Sequence, residues 1–279
     1  MRLGTASPLN PNNQNTTMAA KTTRVVPSSM RWAPLKEGMV VDRRLTKLDS
    51  VQTGYASNQN NIIQFKLPNE YLGDFRRSCL DVNVTLKPNG VGTYARLAQG
   101  AFSMIQRFRI KTGIEIEDLR EYNLLYSLMK EMTDEVNVDA TIGHALWGYG
   151  TQIDRNAWGA AEKQYLLPIY SPLLSSGLIP LGFLKEVLTL EFYLADPRLC
   201  IETDYPSCDI EIRDAELHYD VVIPPDSYQN TIKNVLSING LDLTGLTYEH
   251  YDNIIKATKE TININHRTDS IESFVSVFR

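Results

Sequence analysis

The residue types that most often carry chemistry are sparse here and poorly spaced for it. His144, His218, His250 and His266 are the four imidazoles, and no two stand within five residues of each other, so a helical metal pair at i, i+4 is absent. His218 alternates with Leu217 and Tyr219, which places it on the hydrogen-bonded or solvated face of a strand rather than among metal ligands. Cys79, Cys200 and Cys208 are odd in number and lack CxxC spacing; they read as buried free thiols, not as a disulfide framework or a zinc site. Glu202, Asp204, Asp209 and Glu211 form an acidic cluster that could supply oxygen ligands to Ca²⁺, but the spacing fits no EF-hand and a solvated loop explains it. Gly90-Val91-Gly92 and Gly148-Tyr149-Gly150 lack the third glycine of a nucleotide-binding turn, and no GxSxG or GxxxxGK[ST] occurs. Convergence of two of the 33 acids for glycoside chemistry is too generic an expectation to single out a pair. The expectation is no catalytic residues, no cofactor and no metal.

The elements that would hold such residues are mainly strands. Ile62–Leu67 is apolar with partial alternation and stops at Pro68-Asn69, followed by a break over Pro68–Arg77. Leu80–Leu86 alternates cleanly, with Leu80, Val82, Val84 and Leu86 on one face and Asp81, Asn83 and Thr85 on the other. Met104–Ile110 reads as a strand closed by Thr112-Gly113. Between Glu117 and Met132 the apolar residues Leu119, Tyr122, Leu125, Tyr126, Met129 and Met132 recur at three- and four-residue steps, which predicts a helix with Glu117 and Asp118 in its first turn. Residues 133–165 form a long excursion of unassigned shape. Val187–Leu194 and Ile210–Ile223 return to strand character, the latter alternating through Ala215, Leu217, Tyr219 and Val221. Repeated βα alternation is missing, so the fold class is all-β, an antiparallel β-sandwich with a few helices in long loops.

Charge is unevenly distributed. The chain has 279 residues, with 28 Lys+Arg against 33 Asp+Glu and a net charge of −5, which disfavours a protein that coats nucleic acid over its whole surface. Residues 1–48 nevertheless hold eight cations and two anions, +6, while the other 231 hold 20 cations and 31 anions, −11. Residues 1–60 keep no hydrophobic period and read as an extended basic N-terminal arm. Residues 61–225 form the main domain, and 226–279 a connection that ends in Thr261–Asn265 and Ile271–Phe278, an alternating strand, a break and a second alternating strand. That order repeats the opening of the main domain, as the start of a second one or as the completion of the first. No run of about 18 apolar residues predicts a membrane span, and residues 1–30 lack a continuous apolar core of the secretory type. Tyr55, Tyr94, Tyr149, Tyr165, Tyr170, Tyr205, Tyr228 and Tyr248 fall in expected loops or turns, where tyrosine serves equally for contact between proteins and for packing within one.

The order of segments resembles a known family. NNIIQFKLPN (Asn60–Asn69), RRSCLDVNVTL (Arg76–Leu86), AFSMIQRFRI (Ala101–Ile110), IEIEDLREYNLLYSLM (Ile114–Met129), IPLGFLKEVLTLEFYLADP (Ile179–Pro197) and the long strand at Asp214–Ile223 follow one another as in the first jelly roll of viral major capsid proteins of the double jelly-roll lineage. ETININHRTDSIESFVSVFR (Glu260–Arg279) resembles the entry into the second jelly roll. The resemblance covers roughly residues 55–279. It implies a virion protein that self-assembles through trimers or pseudo-hexameric units into an icosahedral shell, with copies of itself and other capsid proteins as partners and no small-molecule substrate. It also implies an arm on the inner face of the shell, where Arg24, Arg31, Arg43, Arg44 and Lys47 would meet a neighbouring subunit, an internal membrane or the genome. A charge of +6 favours membrane or subunit over genome. The competing readings are a single jelly-roll minor capsid or penton protein, and a carbohydrate-binding or glycosidase-like β-sandwich.

Overall fold

A computed structural model describes residues 42–57, 59–98, 100–133, 143–148, 162–239 and 248–250. Its strands pair in nested fashion. Among the described residues the first strand, β1 (Asp42–Asp49), pairs with the last, β11 (Ser207–Ile223). Working inward along the chain, β3 (Ile62–Lys66) pairs with β9 (Thr189–Leu194), β4 (Leu72–Asn89) with β8 (Lys163–Pro168), and β6 (Ile105–Thr112) with β7 (Ile114–Arg120), all antiparallel. Four nested pairs are one long ribbon. Wound on itself, the ribbon gives two four-stranded sheets, ordered β1-β11-β4-β8 and β3-β9-β6-β7, which is the jelly-roll topology. Short β2 (Gly54–Ala56) extends the edge along β11, and β5 (Ala95–Leu97) pairs with β10 (Ile201–Thr203) beside the roll.

Alternation supplies the core. Leu80, Val82 and Val84 of β4 and Leu217 and Tyr219 of β11 meet Ile63, Phe65, Phe108, Ile110, Leu190 and Phe192 of the opposite sheet in one buried cluster. Phe108 sits between Phe192 and Tyr122, with ring centroids 4.7 and 5.5 Å away. Among the described residues α-helical segments decorate the roll: α1 (Tyr122–Thr133), α2 (His144–Leu146), α3 (Pro172–Ser175), α4 (Pro197–Cys200) and α5 (Asp226–Asn239). On the outside of the first sheet α5 sets Ile232 against Leu72 and Val222 in a second, smaller cluster.

Four departures from the sequence expectation have local causes. Residues 42–49, expected in the arm, are already a paired strand of the sandwich; β1 is an edge strand with Leu48 packed on the core and Leu45 65% exposed, so it carries little apolar period. The expected break at Pro68–Arg77 is largely strand. Phe75–Ser78 bulge opposite Tyr219, with the rings of Phe75 and Tyr219 stacked at 4.9 Å, and the exposed Arg76 and Arg77 interrupt the alternation there. Glu117 and Asp118 belong to a strand, since Gly113 at φ +68° reverses the chain into the β6–β7 hairpin. Helix α1 starts only after Glu121, the corner residue at φ +49°. Finally, the buried phase of β11 changes from Ile210 and Ile212 to Ala215, Leu217, Tyr219 and Val221 at Asp214, whose φ of +49° accompanies a register shift. The expected strands Thr261–Asn265 and Ile271–Phe278 lie outside the described residues.

Candidate functional site

Because the inner faces are apolar, polar chemistry is confined to the outer faces of the two sheets and to a few buried contacts. On the second sheet Arg107, Arg109 and Lys111 alternate along β6, opposite Tyr193, Glu191 and Thr189 of β9. Glu191, 3% exposed, pairs with Lys111 and accepts from the Tyr193 hydroxyl at 3.1 Å and the Gln64 amide at 2.9 Å. Burial pushes its pKa up, but these donors outweigh it and hold the carboxyl below its usual value. Arg107 clasps Asp118 at 2.5 and 2.7 Å, and Arg120 reaches the same carboxylate at 3.1 Å, so Asp118 is likewise lowered against its own desolvation.

The first sheet carries a comparable ladder. Arg43 donates to Asp220 at 2.6 Å and to Asp74 at 3.0 Å, and Arg76 reaches Asp74 at 2.6 Å. Lys47 lies 3.1 Å from Glu216, whose carboxylate also takes the His218 Nε2 at 3.2 Å. Asp81 lies 3.7 Å from the same nitrogen and accepts from the Gln164 amide at 2.8 and 2.9 Å.

The five arm cations therefore divide. Arg43 and Lys47 are engaged with acids of the domain itself. Arg44 is exposed at the edge, opposite Val221, while Arg24 and Arg31 lie outside the described residues. His218 occupies the outward phase of β11 that its alternation predicts, in contact with two carboxylates. The acidic cluster resolves into separate contacts: Glu202 with Arg96 at 2.5 Å, Asp204 accepting from the Thr93 and Tyr94 amides at 2.8 and 2.9 Å, and Glu211 with Lys87 and Arg213 at 3.1 and 2.6 Å. The three thiols are free, and burial pushes Cys79 up to about 11 and Cys200 up to about 12. Of the tyrosines, Tyr55 and Tyr165 are core residues, Tyr94, Tyr170, Tyr205 and Tyr228 are half-buried, Tyr248 is exposed and Tyr149 lies outside the described residues.

Two arrangements had no signal in the one-dimensional pattern. Glu117 is buried against Ser171 and the amide of Leu173, and the trio Asp81, Glu216 and His218 is assembled by the pairing of β4 with β11. Outward phase marks each member of the trio, but only register brings them together. Among the described residues no helix is long and apolar enough to cross a membrane.

No family model matches the chain, and no curated protein matches it. Among solved structures, a chain of the Sputnik virophage, determined by cryo-EM at 3.5 Å, is similar at 12% identity and a TM-score of 0.41, over 80% of this chain and 53% of that one. The crystallised major capsid protein (MCP) of STIV is similar at 11% identity and a TM-score of 0.36, over 68% of this chain and 51% of that one. The chain spans about half the length of each.

Proposed function

We propose that the chain is a structural subunit of a virus shell, self-assembling through trimers or pseudo-hexameric units into an icosahedral capsid. One observation carries this reading. The segments on which the family resemblance rests fall on six of the eight strands of the roll: Asn60–Asn69 on β3, Arg76–Leu86 on β4, Ala101–Ile110 on β6, Ile114–Met129 on β7 and α1, Ile179–Pro197 on β9, and Asp214–Ile223 on β11. Jelly rolls also serve lectins and cupins, so the strand order alone would not choose among functions. In this reading residues 1–41 are the inner arm, with Arg24 and Arg31 as its cations for a neighbour, a membrane or the genome, and Arg44 on the exposed edge of β1. Arg43 and Lys47 instead fasten the edge strand. Residues 226–279 lead into a second jelly roll.

Size-exclusion chromatography with light scattering, followed by electron microscopy of the purified chain, tests the proposal. Trimers or closed shells are expected. A chain that stays monomeric at all concentrations and binds glycans on an array overturns it.

A further inference from the structure

We propose that Asp81, Glu216 and His218 form a binding site for a divalent transition cation of the zinc class, clamping β4 to β11 on the outer face of the first sheet. One ligand atom from each residue lies within 4.8 Å of the other two. The His218 Nε2 is 3.2 Å from Glu216 and 3.7 Å from Asp81. A tetrahedral ion with arms of 2.0–2.2 Å needs ligand edges of about 3.3–3.6 Å, so the two separations bracket the requirement.

The surroundings favour a cation. The side chains of Asp81 and His218 are 11% and 12% exposed, and the Glu216 side chain, at 31%, leaves the fourth position open to solvent. Gln164 donates to both oxygens of Asp81, fixing its carboxylate as an outer-shell donor does around a metal. Lys47 supplies the positive charge now beside Glu216. Its own side chain is 60% exposed, so it can swing into water when an ion takes its place. An imidazole with only two carboxylates suits zinc, cobalt or nickel; Ca²⁺ and Mg²⁺ prefer six or more oxygens. The location gives the clamp a task. Glu216–Asp81, Leu217–Leu80 and His218–Cys79 form a three-residue island of pairing with a register shift on either side, at Arg213/Glu216 and at His218/Asp220.

The test is Co²⁺ titration of the full chain, read by visible absorption, with thermal melting in Zn²⁺ and in Ca²⁺. Expected are the visible bands of a low-coordinate Co²⁺ site, their loss on adding one equivalent of Zn²⁺, and a melting temperature raised by Zn²⁺ but not by Ca²⁺. His218→Ala removes the bands, Glu216→Gln weakens binding by more than about the 10-fold that loss of an outer-shell partner costs, Lys47→Met strengthens it and Cys79→Ser leaves it unchanged. Glu216→Gln is nearly isosteric and partly exposed, so it reads the site even where His218→Ala does not fold. Absence of bands in the unmodified chain, binding that survives both ligand variants, loss of the bands in Cys79→Ser, or equal stabilisation by Ca²⁺ overturns the proposal.

Discussion

Inside the domain the Ser171 hydroxyl donates to the Glu117 carboxylate, while Leu173 N–H donates to its other oxygen at 3.3 Å. Strand β7 thus closes the first turn of α3 with a buried acid 4% exposed. Burial raises the Glu117 pKa, and the two hydrogen bonds only partly offset it.

The sign of the resulting pH dependence follows. In the native state Glu117 holds its proton above the ordinary value of 4.5, so the native chain binds more protons than the unfolded one. Its contribution is greatest below pH 4.5 and is lost as pH rises through the elevated native value. Glu117→Gln removes the charge and keeps one acceptor oxygen for the Leu173 amide, while its NH2 donates to the Ser171 hydroxyl in place of the second acceptor. Its melting temperature, measured from pH 4 to 8, is expected to gain on the unmodified chain as pH rises.

Asp74 behaves in the opposite sense. Burial pushes it up, but the hydrogen bonds and charges of Arg76 and Arg43 bring it below 3.8. The stabilisation is therefore present above about pH 3.8 and is lost as pH falls through the lowered native value. Asp74→Asn is expected to cost roughly 1–3 kcal/mol in urea unfolding at pH 7, with the difference shrinking in acid.

Phe108 is fully buried between Phe192 and Tyr122, joining the second sheet to α1. Phe108→Ala is expected to destabilise by about 3–5 kcal/mol through the cavity it leaves. Chemical denaturation reads the loss.

Asp214 sits at φ +49° where the buried phase of β11 changes. Glycine accepts that backbone freely, so Asp214→Gly is expected within about 0.5 kcal/mol of the unmodified chain. A β-branched side chain does not accept it, and Asp214→Val is expected to cost about 1–3 kcal/mol.

Two truncations separate the arm from the sandwich. Removing residues 1–48 deletes nearly all of β1, with the Arg43 and Lys47 pairs, and bares β11 as a new edge. Its melting temperature is expected to fall by several degrees and aggregation to increase. Removing residues 1–41 retains β1 and is expected to preserve the melting temperature while impairing assembly.

Much of the sandwich was legible because many of its strands alternate on a buried phase: β3, the Leu80–Leu86 part of β4, β6, β9 and β11 all emerge from periodicity. The polar edge β1 and the corners were not. In β1 only Leu48 packs on the core, so an edge strand and a polar arm look alike. Leu119 satisfies both the period of β7 and that of α1, which hid the corner at Glu121. Long-range register was legible nowhere, because Asp81 and His218 each carry an outward phase but nothing local says which strand lies beside which. The acidic cluster at 202–211, expected as a solvated loop, lies instead on β10, β11 and the turn between them, where Glu202, Asp204 and Glu211 each have a nearby donor.

The nesting of strands also dictates an order in time. Arg43 and Asp220, which fasten β1 to β11, are 177 residues apart. At a synthesis rate of about 5–20 residues per second, β1 waits roughly 10–35 s for its partner. Throughout that interval the emerging chain can form the β6–β7 hairpin, but it cannot complete the first sheet. Premature encounters with other nascent copies are therefore the hazard built into this topology, and its final closure is a late, non-local event.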